Sequence, residues 1–84
     1  MKIEMLYFGR PSEALKVVKE SIVLPDTVTT LAELLAWLRL RGDDWAQELI
    51  ETKVRCAINQ EFSGWDSKLK EHDEVALFSP ISGG

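Results

Sequence analysis

The chain has 84 residues, 45% of them hydrophobic and 29% charged, with 10 Lys and Arg against 14 Asp and Glu for a formal net charge of -4. That is enough for one domain but leaves little room for a deep catalytic cleft and its supporting shell. The acidity argues against nucleic acid, which demands clustered Lys and Arg to displace counterions. No apolar run approaches the ~20 residues that span a bilayer, and Glu4 interrupts the first apolar run where a signal peptide would not allow it. The single cysteine, Cys56, can form neither an internal disulfide nor a zinc site alone. A cytoplasmic, metal-free protein is expected.

Residues 2–8 (Lys-Ile-Glu-Met-Leu-Tyr-Phe) alternate and then turn apolar, as a strand inside a sheet does. Gly9-Arg10-Pro11-Ser12 breaks that strand, and Ser12 is placed to N-cap a short helix through about Val17. Ser21-Ile22-Val23-Leu24 reads as a second strand, closed by Pro25-Asp26. The clearest element comes next. Thr30-Leu31-Ala32-Glu33 is a capping box, in which hydroxyl and carboxylate each satisfy an orphan backbone donor. Leu31, Leu34, Leu35 and Leu38 then recur at helical spacing and form one apolar stripe. Gly42 is expected to end this helix, and Asp43 or Asp44 to cap a shorter one through about Glu51. A third strand covers Arg55 to Asn59, with a turn at Asn59-Gln60-Glu61, and Phe62 to Asp66 is irregular or a short edge strand. Glu74 to Phe78 is the final strand, and pairing should stop at Pro80, which cannot donate to a ladder. One main helix among several strands implies an α+β fold with a mixed sheet.

Two of the five glycines are the last two residues, Gly83 and Gly84; at average usage a terminal pair arises by chance in roughly 0.5% of chains. Without Cβ atoms, such a terminus can pass through a channel too narrow for side chains. From Ser79 to Gly84 the extended chain reaches roughly 20 Å, enough to carry its own carboxylate into another protein's active site. A carboxylate is a poor electrophile and would first need activation, for instance as an acyl-adenylate. Sulfide transfer would then leave a thiocarboxylate, whereas amine attack would give an isopeptide bond. The alternative is a frayed end, as most termini are.

The run from Asp73 through Ser79-Pro80-Ile81-Ser82-Gly83-Gly84 resembles the C-terminal signature of the molybdopterin synthase small-subunit family. The resemblance extends back through Ala57-Ile58-Asn59-Gln60, Trp45-Ala46 and the capped Leu helix to the opening strand. It implies a ubiquitin-like β-grasp domain over residues 1–78 with a flexible sulfur-carrying tail at 79–84. It also implies that Gly84 is adenylated by an E1-like adenylyltransferase, which consumes ATP, and becomes a thiocarboxylate. Ile81, Ser82 and Gly83 would thread into the large subunit, two small subunits flanking a dimer of large ones in a heterotetramer. There the sulfur would pass to cyclic pyranopterin monophosphate, two transfers building the dithiolene of molybdopterin. The catalytic groups would belong to the large subunit, and no cofactor is expected on this chain. Alternatives are a sulfur carrier for thiamine or another pathway, a ubiquitin-like modifier conjugated to lysines, and a plain interaction domain with an inert tail. His72 stands where the family often has Gly, and Ser79 where Pro is common; His tolerates left-handed dihedrals better than most residues.

Strand parity adds a docking face. If Ile3, Met5 and Tyr7 point at the helix, Glu4, Leu6 and Phe8 point away; Val75 and Leu77 inward likewise leave Glu74, Ala76 and Phe78 outward. Phe8 and Phe78, with Phe62 at the rim, would then form a partner-binding aromatic patch near the root of the tail. Cys56 reads as a buried structural thiol and His72 as a solvated turn residue. Trp37, Trp45 and Trp65 are too widely spaced to form a stacking platform and read as core or partial core. Asp43, Asp44, Glu48 and Glu51 read as a solvated acidic face.

Overall fold

A computed structural model describes residues 1–80. Strand β1 (Lys2–Tyr7) lies near the middle of a five-stranded sheet of order β2-β1-β5-β3-β4. Around it are β2 (Lys19–Val23), β3 (Arg55–Ile58), β4 (Glu61–Phe62) and β5 (Glu74–Phe78). The β1 and β5 strands run parallel, and the other three pairs are antiparallel. The mixed sheet around one main helix agrees with the α+β, β-grasp expectation.

The parity of β1 holds: Ile3, Met5 and Tyr7 are sealed on one face while Glu4 and Leu6 stay half-exposed on the other. In β5, Val75 and Leu77 are equally sealed. Helix α2 (Leu31–Arg39) lays Leu31, Leu34, Leu35 and Leu38 onto that inner face, joined by Ile22, Leu24, Val28, Leu49, Val54 and Leu69. Burying each large aliphatic side chain contributes about 1.5–3 kcal/mol, so the sheet's inner face and the leucine stripe hold the fold together.

The capping box forms as read. Thr30 Oγ1 accepts the Glu33 N–H, and the Glu33 carboxylate accepts the Thr30 and Thr29 N–H groups. The Leu31 and Ala32 N–H groups donate to the carbonyls of Ser67 and Trp65. Donors orphaned at the helix start thereby pin the 65–67 loop in place.

Three boundaries differ from the sequence reading. Helix α1 is Arg10–Leu15, and its N-cap is Gly9, not Ser12, whose hydroxyl instead donates back to the Gly9 carbonyl. Pro11 is the cause: its fixed φ and missing N–H suit the first helical turn, which draws the start forward. Gly42 does not close α2. That helix ends at Arg39 with Leu40 as a right-handed cap, and Gly42, at φ 151°, opens α3 (Asp43–Glu48). Neither Asp43 nor Asp44 caps α3 by a side-chain hydrogen bond; both lie in its first turn, where acids suit the helix dipole.

A docking face at the root of the tail

The sheet's outer face carries its polarity in rows set by strand register. Lys19, Leu6, Ala76, Ala57 and Phe62 stand side by side across all five strands. One step toward the tail, Phe8 continues the ladder by donating its N–H to the Leu77 carbonyl, which sets it beside Phe78, and Phe78 pairs with Arg55. One step the other way, Ser21, Glu4 and Glu74 form a polar row. The apolar half of this face is therefore the half from which residues 79–84 depart.

All three phenylalanines singled out in the sequence lie in that half. Phe62 and Phe78 are in contact, ring centroids 5.7 Å apart at 56°. Phe62 is 86% exposed and Phe8 50%, while Phe78 is half-buried. Between them Ala76 and Ala57 leave a shallow floor. A phenylalanine this exposed forfeits most of the stabilisation its burial would supply, and a partner that covers it recovers that amount. Sequence parity placed Leu6 and Ala76 outward but did not bring in Ala57 or Arg55, because lateral register joins residues far apart in the chain. Ile81, Ser82, Gly83 and Gly84 lie outside the described residues.

Beside the phenylalanine pair runs an open apolar groove of about 540 Å³, lined by Arg55, Phe62, Trp65, Phe78, Ser79 and Pro80. Ser79 and Pro80 also line a second recess, together with Arg10, Glu48 and Lys53. Arg10 Nε donates to Glu48 Oε1 at 3.0 Å, tying α1 to α3. Glu48 is thus a half-buried ion-pair partner, not part of a free acidic face, whereas Asp43, Asp44 and Glu51 are exposed as expected.

The turn that brings β3 back is built from Asn59 and Gln60, at φ 51° and 72°. Two consecutive left-handed residues make the mirror-image turn whose twist suits a tight hairpin. Asn59 is locked on both sides of its amide: Nδ2 donates to Asp73 Oδ1, and Oδ1 accepts the Glu74 N–H, each at 2.9 Å. The buried Asp73 carboxylate also accepts the Lys70 N–H through Oδ2 at 2.7 Å. These bonds fix the start of β5, the strand that leads to the tail. His72, at φ 68°, supplies the left-handed step before it, as its position in the sequence foreshadows.

A second cluster went unread in the sequence. Arg41 places its guanidinium 4.6 Å from the Trp45 ring centroid and 5.8 Å from that of Trp37. Its Nη1 donates to Glu20 Oε2 at 2.7 Å, and the same oxygen accepts the Tyr7 hydroxyl at 2.8 Å. The two tryptophans, four residues to either side of Arg41 across the break between α2 and α3, meet around one cation; Trp37, Trp45 and Trp65 all pack against the core, as expected.

Among the described residues, no group of three His, Cys, Asp or Glu side chains could hold a metal ion. Cys56 is 2% exposed, and burial pushes its thiol up to about 12, far from the thiolate a nucleophile needs. No helix among these residues is long and apolar enough to cross a membrane.

Residues 5–84 match the ThiS family. This chain belongs to the ThiS family. Its relatives in that family include the molybdopterin synthase sulfur carrier subunit of Haemophilus influenzae, 34% identical over 98% of this chain and 99% of the relative. The protein of the same name from Escherichia coli is 30% identical over the same shares of both chains. Among solved structures, a putative molybdopterin converting factor subunit 1 from Pyrococcus furiosus superposes with a TM-score of 0.80 at 28% identity, covering 96% of this chain and 99% of that one. A chain in the protein-protein complex of subunits 1 and 2 of the Helicobacter pylori molybdopterin-converting factor matches at 0.68 and 25% identity over the full length of both chains. SAMP1 of Haloferax volcanii matches at 0.71 and 26%, also over the full length of both. The ThiS-family membership and the β-grasp architecture therefore agree with the resemblance read from the tail and the Asn59-Gln60 turn.

Proposed function

We propose that this ThiS-family chain serves molybdenum cofactor biosynthesis as the sulfur-carrier subunit of a molybdopterin synthase. The observation that carries the reading is positional. A strand held between two neighbours in the sheet ends at Phe78, on the apolar half of the outer face, six residues before a Gly-Gly terminus. Full-length similarity to sulfur carrier subunits, and the Helicobacter pylori complex of two subunits, support a large-subunit partner.

In this reading residues 1–78 are the docking body and 79–84 the arm. An E1-like adenylyltransferase joins the Gly84 carboxylate to AMP, releasing pyrophosphate from ATP. A sulfur donor then displaces AMP and leaves a thiocarboxylate on Gly84. Phe8, Phe62 and Phe78 seat against the large subunit while Ile81, Ser82 and Gly83 occupy its channel. Sulfur passes there to cyclic pyranopterin monophosphate, with two carriers serving a dimer of large subunits. The chain acts as a co-substrate and binds no cofactor.

Deleting Gly84, or extending the chain with a C-terminal tag, is expected to abolish sulfur transfer in the reconstituted synthase without moving the melting temperature. Full transfer by a tagged chain would contradict the reading. The likeness to SAMP1 of Haloferax volcanii, by its name a small archaeal modifier protein, favours a second reading, a modifier joined to lysines through the same glycine. Identities of at least 30% over nearly the whole chain to sulfur carrier subunits support the carrier reading.

A further inference from the structure

Two cations flank the root of the tail in a chain whose net charge is -4. Arg55 stands at the end of the Phe8–Phe78 row and lines the apolar groove; Lys53 lines the second recess that Ser79 and Pro80 share. Both residues are exposed, and among the described residues their side chains donate to backbone carbonyls alone, Arg55 Nη1 to Val54 at 3.0 Å and Lys53 Nζ to Gln47 at 2.9 Å. Arg10 and Arg41, by contrast, are each paired with a carboxylate among the described residues. Among the described residues Lys53 and Arg55 thus form no ion pair, and both stand beside Ser79 and Pro80, where the arm begins.

We propose that this cationic collar and the adjoining groove receive a segment of the large subunit that sets a carboxylate beside a large apolar side chain. Phe62, Trp65 and Phe78 would enclose the apolar group, and Arg55, assisted by Lys53, would pair with the acid. Geometry selects the occupant. Ser79 and Pro80 line both recesses, so a protein that takes in residues 81–84 must close over them. The inference rests on the carrier reading and adds to it a stated chemistry for the partner's facing surface, with Arg55 as a residue that sets association rate and register. An arginine suits this better than a lysine would, since its planar fork can hold both oxygens of a carboxylate.

The test is association of the full-length chain with the large subunit, followed by surface plasmon resonance or stopped flow across ionic strength. Wild type is expected to bind with a rate that falls as salt rises. The Arg55→Glu variant should associate about tenfold more slowly at low salt, and the difference should shrink near 1 M, where the screening length is about 3 Å. Arg55→Leu, which keeps apolar bulk on an edge of the groove, should show an intermediate rate and guards against a folding defect in the reversal; melting curves of both should match wild type. Equal rates for all three chains at every salt concentration would overturn the collar while leaving the carrier reading intact. Faster association by Arg55→Glu would also overturn it, by showing a basic facing surface. No binding by wild type at any salt would overturn the carrier reading, and the collar with it.

Discussion

His72 and Cys56 show how single residues carry this fold's constraints. His72 holds φ 68° so that its N–H can reach the Lys2 carbonyl at 2.7 Å and Asp73 can enter β5 buried. A left-handed step costs an L-residue roughly 1–2 kcal/mol and glycine almost nothing, against about 0.5–1 kcal/mol of extra unfolded-state entropy for glycine. His72→Gly is therefore expected to raise stability by about 0.5–1 kcal/mol, read from urea midpoints; a loss would show that the histidine side chain contributes something its exposure conceals. Cys56 gives a pH dependence. Its folded-state thiol is raised to about 12, while an unfolded thiol ionises near 8.5. Between those values the unfolded chain binds fewer protons, so stability is full below the lower value and falls as pH rises, by up to about 1.4 kcal/mol per pH unit. Tyr7, also raised, chiefly by burial and then by its bond to Glu20, steepens the fall above about pH 10. Cys56→Ala should flatten the decline between about pH 9 and 10; an unchanged slope would place its origin elsewhere.

At the scale of elements, α2 was legible because its signals are local: a Thr and a Glu three residues apart, then leucines at helical spacing. Removing the Thr30 hydroxyl leaves the Glu33 N–H without its acceptor. Thr30→Ala should accordingly cost about 1 kcal/mol in a chemical denaturation series, and a change below a few tenths would mean the 65–67 loop alone holds the helix start. The starts of α1 and α3 were misread for a physical reason. Each has two candidate caps within three residues, and the choice falls to Pro11 in one case and to the left-handed backbone of Gly42 in the other. Parity along β1 and β5 was equally local, so the outward placing of Phe8 and Phe78 could be read from alternation. Phe78→Asp tests that face: large-subunit binding should be lost, with the melting temperature lowered by no more than the few degrees that ~1 kcal/mol represents in a small domain. Collapse of the fold would instead make Phe78 a core residue.

For the whole molecule, what the sequence concealed is lateral. The parallel pairing of β1 with β5 joins the two ends of the chain, and no local pattern announces which strand lies beside which. For that reason the row running from Leu6 through Ala76 and Ala57 to Phe62 emerged only with the register, as did Arg55 at the rim of the groove. Trp37, Arg41 and Trp45 lie only four residues apart in turn, but they straddle the break between α2 and α3, so spacing alone did not show that they meet. The division of labour belongs to the carrier reading proposed above: a small acidic chain presents an apolar face where its arm begins, and that reading assigns the chemistry to the last glycine and the pocket to a partner. Intact-mass spectrometry of the chain after incubation with the activating enzyme, ATP and a sulfur donor tests that assignment most directly. The account predicts a species heavier by the difference between one sulfur and one oxygen, located on Gly84 and absent when Gly84 is deleted. An unchanged mass, or a ladder of lysine-linked adducts in its place, would contradict it.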